Sequence, residues 1–151
     1  MKRNTIHILP IMAVILVMAA IFLFSSQPVV QSDRLSRGLA ELIINLAKHI
    51  LPGWNVDVVG FHHLLRKGAH FFLYFLLGVL GANAFRKNGL TMNSSAIAAL
   101  FLCTLFALSD EAHQLFVSGR GAQLKDVALD SVGAAVGIIL LMIASGLRKK
   151  S

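Results

Sequence analysis

Residues 108–137 read LSDEAHQLFVSGRGAQLKDVALDSVGAAVG, and the fold turns on how this stretch is read. It joins the end of one strongly apolar run to the start of another. It also carries Asp110, Glu111, Asp126 and Asp130, four of the chain's seven acidic residues. As a polar hairpin between two membrane spans, it explains both its apolar flanks and its charged centre. Ionisable side chains at the end of a spanning helix cost a few kcal/mol unless they are paired or hydrated, so such a cluster points to a site.

Composition places the rest of the chain in the same class. Of 151 residues, 56% are hydrophobic and 14% charged, against roughly 25% charged in a soluble domain. That deficit, with long apolar runs, indicates a polytopic membrane protein. The net charge is +7, but the basic residues lie at run ends and in one long loop. They lack the aromatic interleaving of a nucleic-acid surface, so no nucleic-acid partner is expected. Cys103 is the only cysteine and sits inside an apolar run, which excludes a disulfide framework and reads as a small packing residue.

Four spans are expected, at about 6–24, 68–85, 94–112 and 126–147, each near the ~20 residues that a helix needs to cross. The first follows Lys2 and Arg3. A secretory signal peptide would have a shorter apolar part of ~7–15 residues ending in small residues. Phe22-Leu23-Phe24 occupies that place, so the run reads as an uncleaved anchor. Between the first two spans, Leu35, Leu39, Leu42, Ile43, Leu46 and Ile50 repeat at helical spacing, with Arg34, Arg37, Glu41, Asn45 and Lys48 on other faces. This predicts an amphipathic helix at about 33–50, capped by Ser32 and stopped by Pro52-Gly53. It lies in the membrane interface, with Trp54 at headgroup level, or else packs as a lid over the bundle mouth. The expected fold is thus all-α: one domain, 1–151, of four transmembrane helices with an interfacial helix between the first two.

Basic residues are densest beside the span ends at Lys2, Arg3, Arg86, Lys87, Arg148, Lys149 and Lys150, which favours cytoplasmic termini. Ser25-Ser26-Gln27, Lys67, His70, Tyr74 and the whole 110–130 cluster then fall together on the outer side. Lys67, His70 and Tyr74 are spaced by three and four, so they share a helix face. Asp110 likewise aligns with His113 and Gln114, and Asp126 with Asp130. Gly133 and Gly137 form a small-residue pattern that lets another helix approach the aspartate face.

Each signal also has a plainer reading. His70 fits a helix-end histidine bonded to a carbonyl, and Tyr74 an interfacial aromatic. Glu111 or Asp126 with Arg120 fits a structural ion pair pinning the hairpin. Arg120 with Lys67 or Lys125 fits an anion site for phosphate or carboxylate. No spacing matches a defined metal signature, so neither metal nor cofactor is expected. The spans carry few polar residues at mid-depth, which disfavours a transport path.

Three ordered blocks resemble the VanZ-like family of bacterial membrane proteins over nearly the whole chain. They are Phe24-Ser25-Ser26-Gln27-Pro28, then Arg66-Lys67-Gly68-Ala69-His70-Phe71-Phe72-x-Tyr74, then Ser109-Asp110-Glu111-x-His113-Gln114-x-Phe116 with Gly119-Arg120, Asp126-Val127 and Asp130-x-x-Gly133. The resemblance maps motif positions onto Lys67, His70, Tyr74, Glu111, Gln114, Arg120, Asp126, Asp130 and Gly133. Two departures are Leu73, where relatives often carry an acid, and Ser118, where they often carry proline. The loss of the acid removes a possible base or ligand. The resemblance implies a multi-pass protein of the bacterial cytoplasmic membrane with a cell-envelope role. The founding member is associated with resistance to teicoplanin. An anionic lipid, a lipoglycopeptide or a cell-wall precursor is then the expected partner beyond the bilayer. The alternatives are an enzyme on a lipid-linked or phosphorylated precursor, with His70 or Glu111 as general acid or base, and a structural or assembly protein.

Overall fold

A computed structural model describes the backbone of residues 6–50 and 58–148. It contains five helices: α1 (Ile8–Ser25), α2 (Val29–Ile50), α3 (Val58–Lys87), α4 (Met92–Gln114) and α5 (Leu124–Arg148). Helices α1, α3, α4 and α5 are long and apolar enough to cross a membrane. The chain is an all-α, multi-pass membrane protein with one non-spanning helix, α2, between its first two spans. The Pro52-Gly53 stop, Trp54, Lys2, Arg3, Lys149 and Lys150 lie outside the described residues.

Two starts differ from expectation. Helix α3 begins at Val58, ten residues before the expected 68. The pair Arg66-Lys67 reads as a membrane boundary, but charge does not break a helix, and Val58–Leu65 contains no proline. Its 30 residues extend ~45 Å, against a hydrocarbon core of ~30 Å. One end of α3 therefore stands clear of the lipid tails and carries Arg66 and Lys67 inside regular helix. Helix α2 begins at Val29 and not at 33, so Ser32 is not its cap. The Pro28 carbonyl accepts from the amides of Gln31 and Ser32, both at 3.0 Å. Proline preorganises such a start.

Helix α3 is the hub, packing against α1, α2, α4 and α5. Its contact with α5 is backbone on backbone, as the glycine spacing predicts. A Cβ at Gly133 would lie 2.5 Å from the Phe71 carbonyl oxygen, and one at Gly137 would overlap the Phe75 carbonyl. Gly78 meets the Ala134 carbonyl in the same way from the other side. Small residues permit this approach, which drives association through van der Waals contact where lipid offers no hydrophobic incentive. Ile21, Tyr74, Leu77, Cys103, Ala107 and Ala134 complete the main core. Leu9, Leu16, Ile97 and Phe101 point outward, where lipid would cover them.

The two ends of the bundle are closed differently. At the end where α1 begins and α5 finishes, the α3–α4 turn uses Gly89 at φ 103°, and Thr91 caps α4 by accepting from the Ser94 amide at 3.3 Å. The His7 amide donates to Asn88 Oδ1 at 3.0 Å and Arg86 to Ser145 Oγ at 2.8 Å, tying α1 and α5 to that turn. The opposite end gathers the end of α1, the start of α2 and α3, and the α4–α5 hairpin.

Helix α2 presents three rows of side chains. Val29, Ser32, Asp33, Ser36, Ala40, Ile43, Ile44 and Ala47 form its covered row, toward α3. Leu35, Leu39, Leu42, Leu46 and Ile50 are all more than half exposed. Arg34, Arg37, Glu41 and Asn45 form the third row, also exposed. Ile43 therefore leaves the predicted apolar stripe and packs inward. Helix α2 runs along α3, and its first residue, Val29, donates its amide to the hairpin at the Ser118 carbonyl. A free leucine row beside a free charged row is the pattern of a helix lying at a lipid–water boundary.

Candidate functional site

The site is assembled by tying the end of α1 to α4 and to the hairpin. The Ser25 hydroxyl donates to Asp110 Oδ2 at 2.7 Å, with both side chains buried. Ser26 Oγ lies 3.2 Å from His113 Nε2, and the Phe22 ring packs on the same imidazole at 4.5 Å between centroids. Gln114 donates through Nε2 to Asp110 Oδ2 at 3.2 Å and to Glu111 Oε1 at 3.3 Å. The other Glu111 oxygen accepts from the Gln123 amide at 2.7 Å, drawing the hairpin back over the end of α4. At its tip the Ser118 carbonyl accepts from the Val29 amide at 3.4 Å, and Gly119 turns at φ 77° against Val29.

Arg120 spans the junction. Its Nε donates to the Gln27 carbonyl at 3.0 Å, Nη2 to the Phe24 carbonyl at 3.3 Å and Nη1 to Gln114 Oε1 at 3.4 Å. The last carbonyls of a helix lack partners within it, and a cation is favoured there by the helix dipole. The expected ion pair of Arg120 with Glu111 or Asp126 is not formed. Glu111 is used by Gln114 and Gln123, and Asp126 pairs with Lys67 across α3 and α5. Among the described residues no carboxylate lies within 4 Å of Arg120. Burial, then the like charge of Arg66, hold this guanidinium below its ordinary pKa, yet arginine stays charged at any pH the protein meets.

These groups surround a cavity of about 120 Å³. Lys67, His70, Glu111, Gln114, Arg120, Asp126 and Asp130 line it. Tyr74 does not. It is fully buried one turn deeper, with its ring near Phe106 and its hydroxyl without a partner. His70 Nδ1 stands 3.7 Å from Asp130 Oδ2, too far for a hydrogen bond. The second oxygen of Asp130 is buried and unpartnered, as is that of Asp110. Lys125 is exposed and lies away from the cavity wall. Among the described residues no three His, Cys, Asp or Glu side chains group as a metal ion would need.

Arg66 lines the cavity as well, held by Asp33 at 3.2 Å. It was not among the residues singled out from sequence, although its four-residue spacing to His70 would have placed it on the same face once α3 was known to start early. The Gln27 carbonyl and the Gln123 amide were beyond reach, since backbone groups carry no letter. The cavity therefore offers a held guanidinium without a carboxylate, a second guanidinium held by Asp33, and the Asp130 side chain in its wall. It suits an occupant with an anionic group and a hydroxyl or amine donor, and its volume admits a headgroup and not a whole glycopeptide.

A family model described as VanZ/LLP1 matches residues 10–145. No curated protein matches the chain, and no solved structure does.

Proposed function

The chain belongs to the VanZ/LLP1 family, and from that premise we propose that it works at the outer surface of the bacterial cytoplasmic membrane. Its cavity engages an anionic group of an envelope molecule there and so reduces the action of teicoplanin-like lipoglycopeptides. The observation that carries this reading is Arg120: a half-buried guanidinium, fixed by three oxygens, with no carboxylate beside it among the described residues. A charge so placed gains from a mobile anion what a resident carboxylate would otherwise supply. Both termini face the cytoplasm on this reading, supported by the density of basic residues at their end. Lys67, paired with Asp126, and Arg66, paired with Asp33, line the cavity as further N–H donors. His70 and Asp130 offer hydrogen bonds to the neutral part of the ligand, while Glu111 and Gln114 hold the hairpin that carries Arg120.

A second reading, an enzyme acting on a phosphorylated or lipid-linked precursor, has one observation in its favour. His70 faces the cavity beside Asp130, a pairing that suits acid–base work. Glu111 fits that role less well, since both its oxygens are engaged.

Teicoplanin susceptibility of a sensitive Gram-positive host tests the first reading. Wild type and Arg86→Gln are expected to protect, and Arg120→Gln and His70→Ala to protect at least about tenfold less at equal membrane abundance. A wild type that gives no protection at good abundance rejects the lipoglycopeptide role.

A further inference from the structure

Beside the polar cavity runs a second one of about 210 Å³, between the end of α1, α2 and α3. Phe24, Leu35, Leu39, Leu65, Ala69 and Leu73 make most of its wall. Arg66, His70 and Arg120 line both cavities and so form their common boundary. Leu35 and Leu39 belong to the uncovered leucine row of α2 and are 58% and 51% exposed. The apolar slot therefore opens on the side where α2 meets lipid, while the polar cavity lies on the far side of the guanidiniums.

The combination narrows the occupant. A free ion would use the polar cavity and leave an apolar slot beside it unfilled. A neutral lipid chain would fill the slot and leave Arg120 without an anion. Only a molecule charged at one end and hydrocarbon at the other satisfies both surfaces. Arg120, with no carboxylate beside it, and Arg66, held through Nη1 by Asp33, line one space, and the N–H donors they have left match the several oxygens of a phosphate better than a single carboxylate.

We propose that the two cavities are one site for a phosphate-bearing membrane lipid, with its phosphate against Arg120 and Arg66 and one acyl chain in the slot between α1, α2 and α3. The proposal rests on the anion reading of the polar cavity and adds the tail. His70 and Asp130, which line the polar cavity, then face the part of the headgroup beyond the phosphate.

The test titrates delipidated full-length protein in an uncharged detergent with three probes, followed by native mass spectrometry. Phosphatidic acid carries both parts, diacylglycerol the chains alone and inorganic phosphate the anion alone. Wild type is expected to bind phosphatidic acid at least about tenfold more tightly than either partial probe. Ala69→Trp, which fills the slot, should weaken phosphatidic acid about tenfold and leave inorganic phosphate unchanged. Arg120→Gln should weaken both by about ten- to a hundredfold, the loss expected of charge-assisted bonds, with helicity checked by circular dichroism. If Ala69→Trp binds phosphatidic acid like wild type, or diacylglycerol binds as well as phosphatidic acid, the tail site is wrong, while an Arg120-dependent phosphate signal would still leave the anion reading standing. If neither phosphatidic acid nor phosphate binds wild type, both fall. Should Arg120→Gln misfold, Ala69→Trp alone decides.

Discussion

The two ends of the bundle solve the same closure problem with different materials. At the terminal end the described residues show a glycine turn, a threonine cap and exposed contacts of His7 with Asn88 and of Arg86 with Ser145. At the opposite end the chain invests a longer hairpin, 115–123, and buries Ser25, Asp110, Glu111, Gln114 and Asp130. Among the described residues the terminal end is joined without buried carboxylates, so connection alone does not account for Asp110 and Asp130, each with an unpartnered oxygen, of which Asp130 lines the cavity. Burying polar groups in this way is costly, which supports the proposal that this end is a site and not only a joint.

The strongest way to break the contrast is to remove the packing that holds the site end in register. Gly137→Leu would drive a side chain into the Phe75 carbonyl, at a cost of about 3 kcal/mol or more. The variant should lose its folded form in detergent, judged by gel filtration and thermal denaturation. Gly146→Ala in the same helix meets nothing within 4 Å and should match or slightly exceed wild type.

A smaller effect separates the ends directly. Ser25→Ala leaves the buried Asp110 carboxylate with only the longer bond from Gln114 Nε2 at 3.2 Å, which should cost about 1–2 kcal/mol. Ser145→Ala, which removes the exposed contact to Arg86 at the other end, should cost under about 0.5 kcal/mol. Comparable losses for the two variants would dissolve the distinction. The smallest effect belongs to Lys67 and Asp126, whose side chains are 44% and 28% exposed. A double-mutant cycle to alanine should return a coupling of about 0.2–1 kcal/mol, falling as salt is raised. A larger and salt-insensitive value would make that pair part of the buried framework.

What could be read from residues alone follows this division. The spans α1, α4 and α5 were legible to within about two residues, because hydropathy over some twenty positions overrides local detail. The gathering of polar residues at one end was legible too, since span parity and a 3.6-residue period decide it. The starts of α2 and α3 were not. Ser32-Asp33 resembles a cap more than Pro28 does, and Arg66-Lys67 resembles a boundary although helix continues through it. The wiring was least legible. Arg120 turns to carbonyls and an amide and away from Glu111, and Tyr74 points into the core and not toward its helix-mates Lys67 and His70. The first outcome depends on the free carbonyls at the end of α1, and the second on how α3 sits once Gly133 and Gly137 set its approach to α5.

The central claim is that Arg120 stands ready for an anion while the cation at the other end, Arg86, does not. Melting temperatures in uncharged detergent test it most directly, with inorganic phosphate compared against chloride at equal ionic strength. A ligand bound only by the folded form raises the melting temperature. Phosphate is expected to raise it for wild type and for Arg86→Gln, and to leave Arg120→Gln unmoved. An equal rise in all three proteins, or none in wild type, would contradict the claim.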